Sequence, residues 1–196
     1  MGLLFPSPSD SLNQIASFSI KVGGTNVEDT FKIFGIQTFK EINKLSRALI
    51  SIIGGNPKEN NFDESEESIF STGKEVEISF GYDQSNSLVF KGIISKHSLK
   101  IKRGFQHNKT NNLLVIECVD KAVKLSNTYT SEIYEDKLDS DIINSLISNA
   151  SGVTKNVSFT SVMNDFLPKY NCNDWDFILQ RAEANGMVVL NSDNAI

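Results

Sequence analysis

Cysteine, histidine, tryptophan and proline are all scarce in this chain of 196 residues, at two, two, one and four copies. Two cysteines cannot build the multi-bridge framework of a small secreted domain. Cys118 and Cys172 sit in or beside apolar segments, the setting of buried free thiols. Neither they nor His97 and His107 stand at metal-ligand spacing, so a zinc centre lacks a donor set and no metal or cofactor is expected. Basic residues are outnumbered 19 to 24, for a net charge of −5, and no dense lysine-arginine tract exists. Phosphate backbones repel such a surface, so nucleic acid is not an expected partner. Long apolar runs are missing as well. The longest, LLVIECV at 113–119, is strand-sized, so this segment is not expected to insert in a membrane. The start, MGLLFPSPSD, has no basic n-region, and Pro6 stands where a myristoylation signal wants Ser or Thr. Synthesis and folding in a cytoplasm are therefore expected, with any export by a route other than a signal peptide.

What is present is alternation. The length allows one or two domains with a real core. Residues 1–14, with two prolines and three serines, read as an N-terminal arm. From Ile15 the texture is that of strands: FSIKV, then a GGTN turn, then TFKIFGIQTFKEI at 30–42. ALISII at 48–53 is apolar on both parities, as in a strand covered on both faces. A polar stretch at 54–74 carries Asp63, Glu64, Glu66 and Glu67. It lacks the alternating ligand register and central glycine of a calcium loop, so it reads as a solvated loop, the expected first site of proteolysis. EVEISFGYD places Val76, Ile78 and Phe80 on one face. In the next strand Gly92 marks an expected bulge. With LLVIECV these make about six strands in roughly 110 residues, the pattern of a small antiparallel barrel or sandwich.

After Val119 helices enter. DSDIINSLISNASG carries an apolar stripe of Ile142, Ile143, Leu146, Ile147 and Ala150, with Ser140 as the expected N-cap and Gly152 as the stop. NVSFTSV at 156–162 reads as a short strand. NCNDWDFILQRAEANGMVVLN at 171–191 reads as a helix capped by Asn173 or Asp174, closed by Gly186, and followed by a new strand from Met187. Trp175, Ile178, Leu179 and Ala182 recur at helical spacing. Asp174 and Asp176 then lie in the first turn, where carboxylates complement the helix dipole. Two residues apart, they point away from each other and cannot act as a general acid–base pair. Asn also caps helices well, so Asp174→Asn is expected to be nearly neutral. No catalytic residue is identified.

Several segments in fixed order resemble a known family. They are IQTFKEINKLSRALISI, GKEVEISFGYDQSNSLVFKGIISKHSLKI, LLVIECVDKAVKLS, DSDIINSLI and NCNDWDFILQRAEANGM. Together they are similar to the amino-terminal hub of VgrG proteins, the spikes of type VI secretion and related contractile injection systems, kin to phage baseplate hubs. The resemblance implies a mainly β fold with helices (α+β). A small antiparallel β-barrel of the phage hub or tail-tube type would span 15–125. A mixed, partly helical connecting region and the start of a second barrel would span 126–196. It implies a structural helix, for packing or a subunit interface, built on Asp174, Trp175, Phe177, Ile178, Arg181 and Gly186. Ile-Ile-Gly-Gly stands where many relatives carry an Asp-Gly turn. The family's second barrel, oligonucleotide/oligosaccharide-binding-fold domain and β-helical needle have no counterpart here, so a portion of a longer spike is expected.

By the same resemblance the chain is a non-enzymatic hub. It would trimerise, adapt a three-fold spike to a six-fold tube, and meet an Hcp-like tube protein, baseplate components, the spike tip and effectors. It would assemble in the cytoplasm and leave on contraction. The baseplate hub of a contractile phage or prophage tail is the alternative, and a β-scaffold glycosidase a remote one.

Overall fold

The computed structural model describes residues 15–53, 68–103 and 110–196. The N-terminal arm, residues 54–67 of the polar loop and His107 lie outside the described residues. The described residues of the first half form seven strands: β1 (Ala16–Val22), β2 (Thr25–Asn26), β3 (Lys32–Phe39), β4 (Arg47–Ile53), β5 (Glu75–Tyr82), β6 (Ser85–Arg103) and β7 (Thr110–Val119). They make one sheet in the order β2-β1-β5-β6-β7-β4-β3, with every pairing antiparallel.

Alternation builds this sheet. Ile20 and Val22, Ala48, Ile50 and Ile52, Val76 and Ile78, and Leu114, Ile116 and Cys118 all turn to one face and are buried. Val22 and Val27, near one edge of the sheet, share a single apolar cluster with Ile33 and Ile36 on the opposite edge strand. A flat sheet would keep those edges apart, so the sheet rolls around its core, as sheet twist favours. The β5–β6 hairpin turns on Asp83 and Gln84, with φ of 49° and 65°. This double left-handed turn matches the strand twist.

Two strand expectations need correction. β4 is not covered equally on both faces: Leu49, Ser51 and Ile53 are only half-buried. Gly92 is not at a bulge, since it pairs in register with Val76. The register shifts fall opposite Ile78/Ser79 and at Ile94/Lys96 instead. Glycine is needed at 92 for space: a Cβ there would lie 2.3 Å from the Val119 carbonyl oxygen and 2.8 Å from Phe90 Cζ.

The second half holds a 3₁₀ turn (Lys121–Ser126), β8 (Tyr129–Leu138), α1 (Asp139–Ser148), β9 (Met163–Asn173) and α2 (Asp174–Ala184). β8 and β9 form a separate antiparallel ribbon. Ile142, Leu146, Ile147, Trp175, Phe177 and Ile178 lead a second apolar core.

Here the expectations for local structure are corrected in three places. Ser140 is not the N-cap of α1. The cap is Leu138, without a side-chain bond, and the Thr160 hydroxyl accepts the Ser140 N–H at 3.0 Å from across the fold. Residues 156–162 form no strand; the strand begins at Met163 and admits Pro168 because a two-stranded ribbon is all edge. Residues 187–191 form no strand either. Val189 is held there by the Asn43 side chain, whose Oδ1 accepts its N–H at 2.8 Å.

The two cores meet at a buried polar joint. Asp120 is fully buried. Its N–H donates to Ser46 O at 2.9 Å. Its carboxylate accepts the N–H of Ala122 at 2.9 Å and of Asn194 at 2.7 Å.

Candidate functional site

The segment read as a structural helix is assembled by three polar devices. The first caps α2. Asn173 Oδ1 accepts the Asp176 N–H at 2.7 Å, and Asn173 Nδ2 donates to Asp176 Oδ2 at 2.8 Å. This reciprocal arrangement satisfies an orphan donor of the first turn, and it makes Asn173, not Asp174, the cap.

The second device holds Asp174. Its carboxylate pairs with the ammonium group of Lys169, whose side chain is 0% exposed. Thr130 Oγ1 accepts a second Lys169 proton at 2.7 Å, and Asn149 Nδ2 donates to Asp174 at 3.2 Å. The third device joins the helices. Arg181 Nε and Nη2 grip Asp139 at 2.6 and 2.9 Å, and Asn185 Nδ2 donates to the same carboxylate at 2.8 Å. The Arg181 hydrogen bonds hold the Asp139 carboxyl below the usual carboxylate range. Charge-assisted forks of this kind are geometrically specific.

Between these devices the apolar face of α2 is packed. Trp175 is 6% exposed, and Phe177 and Ile178 are buried with it. Phe177 stacks on Tyr134 of β8 with ring centroids 5.9 Å apart. Gly186 takes φ +65° just after the helix, where L residues are strained. The structure thus brings Asp174, Trp175, Phe177, Ile178 and Arg181 onto one packed helix. Lys169 and Asp139, their essential partners, carried no local sequence signal; both lie on other elements and are identified only by contact.

Chemically, this arrangement does not converge. Asp174 and Asp176 are held by different partners, Lys169 and Asn173. Burial pushes the Cys118 thiol up to about 12 and raises that of Cys172, so neither is a thiolate near neutral pH. Among the described residues, no group of three or more His, Cys, Asp or Glu side chains could hold a metal ion. No described helix is long and apolar enough to cross a membrane.

Around the second core, two surfaces of the described residues are open. The β8–β9 ribbon buries one face, with Leu167 and Tyr134 against the second core. The other face exposes Ile133, Phe166 and Tyr170, the last at 85%. Beside α1 and α2 runs an apolar groove of about 550 Å³, lined in part by Val188 and Leu190.

Comparison with known proteins adds two findings. The family model described as the Alg8 N-terminal domain matches residues 12–196, while no curated protein matches the chain. Among solved structures, a 43 kDa tail protein of prophage MuSo2 from Shewanella oneidensis is similar with a TM-score of 0.65 at 11% identity, over 90% of this chain and 53% of that one. An E. coli component of the type VI secretion system is similar with a TM-score of 0.55 at 10% identity, over 88% and 48%. A Francisella PdpA–VgrG complex is similar with a TM-score of 0.53 at 14% identity, over 89% and 28%. The chain spans about half the length of the first two structures. At these identities the likeness is one of fold: a mainly β, antiparallel fold with helices, of the kind found in phage tail and secretion-spike proteins.

Proposed function

The chain belongs to the Alg8 N-terminal domain family, and from its tail-protein fold we propose that it is a structural hub of a contractile injection machine. The observation that carries this reading is the fold match over about nine-tenths of the chain. In this reading three copies join and adapt a three-fold spike to a six-fold tube. An Hcp-like tube protein, baseplate components, the spike tip and effectors are the partners. Assembly is cytoplasmic, and delivery follows contraction. The likeness to a prophage tail protein supports a second reading, the baseplate hub of a phage or prophage tail.

A hub works by interface area, not by turnover, and obligate interfaces are large and apolar. The α2 side chains Trp175, Phe177 and Ile178 are consumed by their own chain's core. Contact between copies is therefore assigned to the exposed ribbon face of Ile133, Phe166 and Tyr170. The glycosidase alternative has little to work with, because the helix-start carboxylates are separately engaged.

Sedimentation over a concentration series tests the reading. A three-copy species is expected, dispersed to folded monomers by Phe166→Glu. A wild type that stays monomeric at every concentration, alone and with tube protein, would overturn it.

A further inference from the structure

Asn185 and Gly186 form the only Asn-Gly pair in the chain. Such a pair carries a reaction of its own. The glycine backbone nitrogen attacks the side-chain carbonyl carbon of the asparagine. The new C–N bond closes a cyclic imide, and the side-chain nitrogen leaves as ammonia, taking the glycine's proton. Water then opens the imide at either carbonyl. The product is aspartate, or isoaspartate with the main chain rerouted through the side chain. Water is the only reagent consumed. Glycine hinders the attack least, because it has no side chain.

In the folded chain every participant is held. Asn185 follows α2 with φ of −97° and ψ of 10°. At that ψ the Gly186 nitrogen is turned toward the backbone nitrogen of residue 185 and away from the side chain it must reach. The Gly186 N–H donates to Glu183 O at 2.9 Å, and the Met187 N–H to Ala182 O at 2.9 Å. These two bonds are the ones that end a helix at a left-handed glycine. The leaving nitrogen, Asn185 Nδ2, donates to Asp139 Oδ2 and to Arg181 O, both at 2.8 Å. The reactive amide is thus also part of the joint between α1 and α2. Its replacement by a carboxylate would leave neither acceptor a proton. Two carboxylates would then share the site of the buried Asp139, an arrangement that disfavours the charged form of each. The isoaspartate product would also add a main-chain atom inside the closing turn.

We propose that Asn185–Gly186 is a self-modification site gated by the fold. The pair deamidates when the end of α2 opens, and stays intact while Asn185 holds Asp139. The new carboxylate then weakens the Arg181–Asp139 fork, so an opening of α2 that lasts long enough to react does not fully reverse.

The test incubates the whole chain at mildly alkaline pH, folded or in urea, and follows residue 185 by peptide mapping and mass spectrometry. Conversion is expected to be slower in the folded chain by about tenfold or more, because reaction waits on local opening. Asp139→Asn, kept below its melting temperature, is expected to raise the folded rate, since it weakens one acceptor of the amide. Equal rates with and without urea would overturn the gating, as would an Asp139→Asn rate equal to wild type. The consequence has its own readout. Asn185→Ala removes the donor alone, whereas Asn185→Asp removes it and adds charge. Asn185→Asp is expected to melt below Asn185→Ala at neutral pH, with the gap closing as pH falls through the carboxylate range. An Asn185→Asp melting temperature equal to wild type would overturn the claim that the product keeps the fork from reclosing.

Discussion

Lys169 and Asp174 show how a single contact reverses an expectation about a residue. Read as a helix-cap residue, Asp174 tolerates Asn. Facing a lysine with a fully buried side chain, it is expected not to. Breaking a buried pair from one side leaves an uncompensated charge and costs about 3–5 kcal/mol. Asp174→Asn is therefore expected to lower stability markedly in chemical denaturation. Adding Lys169→Met is expected to restore most of the loss, because an apolar residue of similar volume removes the stranded charge. A neutral single variant would return Asp174 to the role of a surface residue. Asp139 makes a prediction in pH. Its carboxyl is held low, chiefly by the Arg181 hydrogen bonds, so the folded state binds this proton less readily than the unfolded one. The resulting stability is complete above the unfolded value of about 3.9 and is lost as pH falls through the lower folded value. Asp139→Asn is expected to melt below wild type at neutral pH, with the gap closing in strong acid. A gap that stays constant down to the acid limit would contradict the pairing.

Among the elements, the strands were the most legible. Val76, Ile78 and Phe80 alternate in sequence, and Val76 and Ile78 are fully buried in the structure. β9 was not legible, because Met163–Asn173 mixes Pro168, a buried lysine and exposed aromatics. A ribbon with one open face has no clean alternation to read. The stretch from Met187 failed for the opposite reason. Its valines have strand propensity, but propensity does not supply a neighbouring strand. In the candidate site the packed face of α2 was legible from helical spacing, whereas Lys169 and Asp139 were not, since their roles depend on contacts between elements. Gly92 was correctly singled out for the wrong cause. Gly92→Ala is expected to push β6 from the end of β7, where Val119 O stands 2.3 Å from the added carbon. A cost of about 1–3 kcal/mol is typical of such overpacking. A melting temperature equal to wild type would count against the close approach.

At the scale of the whole molecule, the two cores are coupled through polar groups, among them Asp120 and Ser46, both fully buried. Asp120→Ala leaves the N–H groups of Ala122 and Asn194 without their acceptor. Each stranded donor costs about 1–3 kcal/mol, and the loss falls on the joint rather than on either core. The sole tryptophan of the chain gives this an optical consequence. Trp175 lies in the second core, while the rolled sheet contains no indole. Tryptophan emission therefore sees one core only, whereas the methyl proton resonances of Ile50 and Ile116, buried in the sheet, follow the other. In the wild type the two melting curves are expected to superimpose. In Asp120→Ala they are expected to separate, with the emission curve moving first as the C-terminal turn lets go.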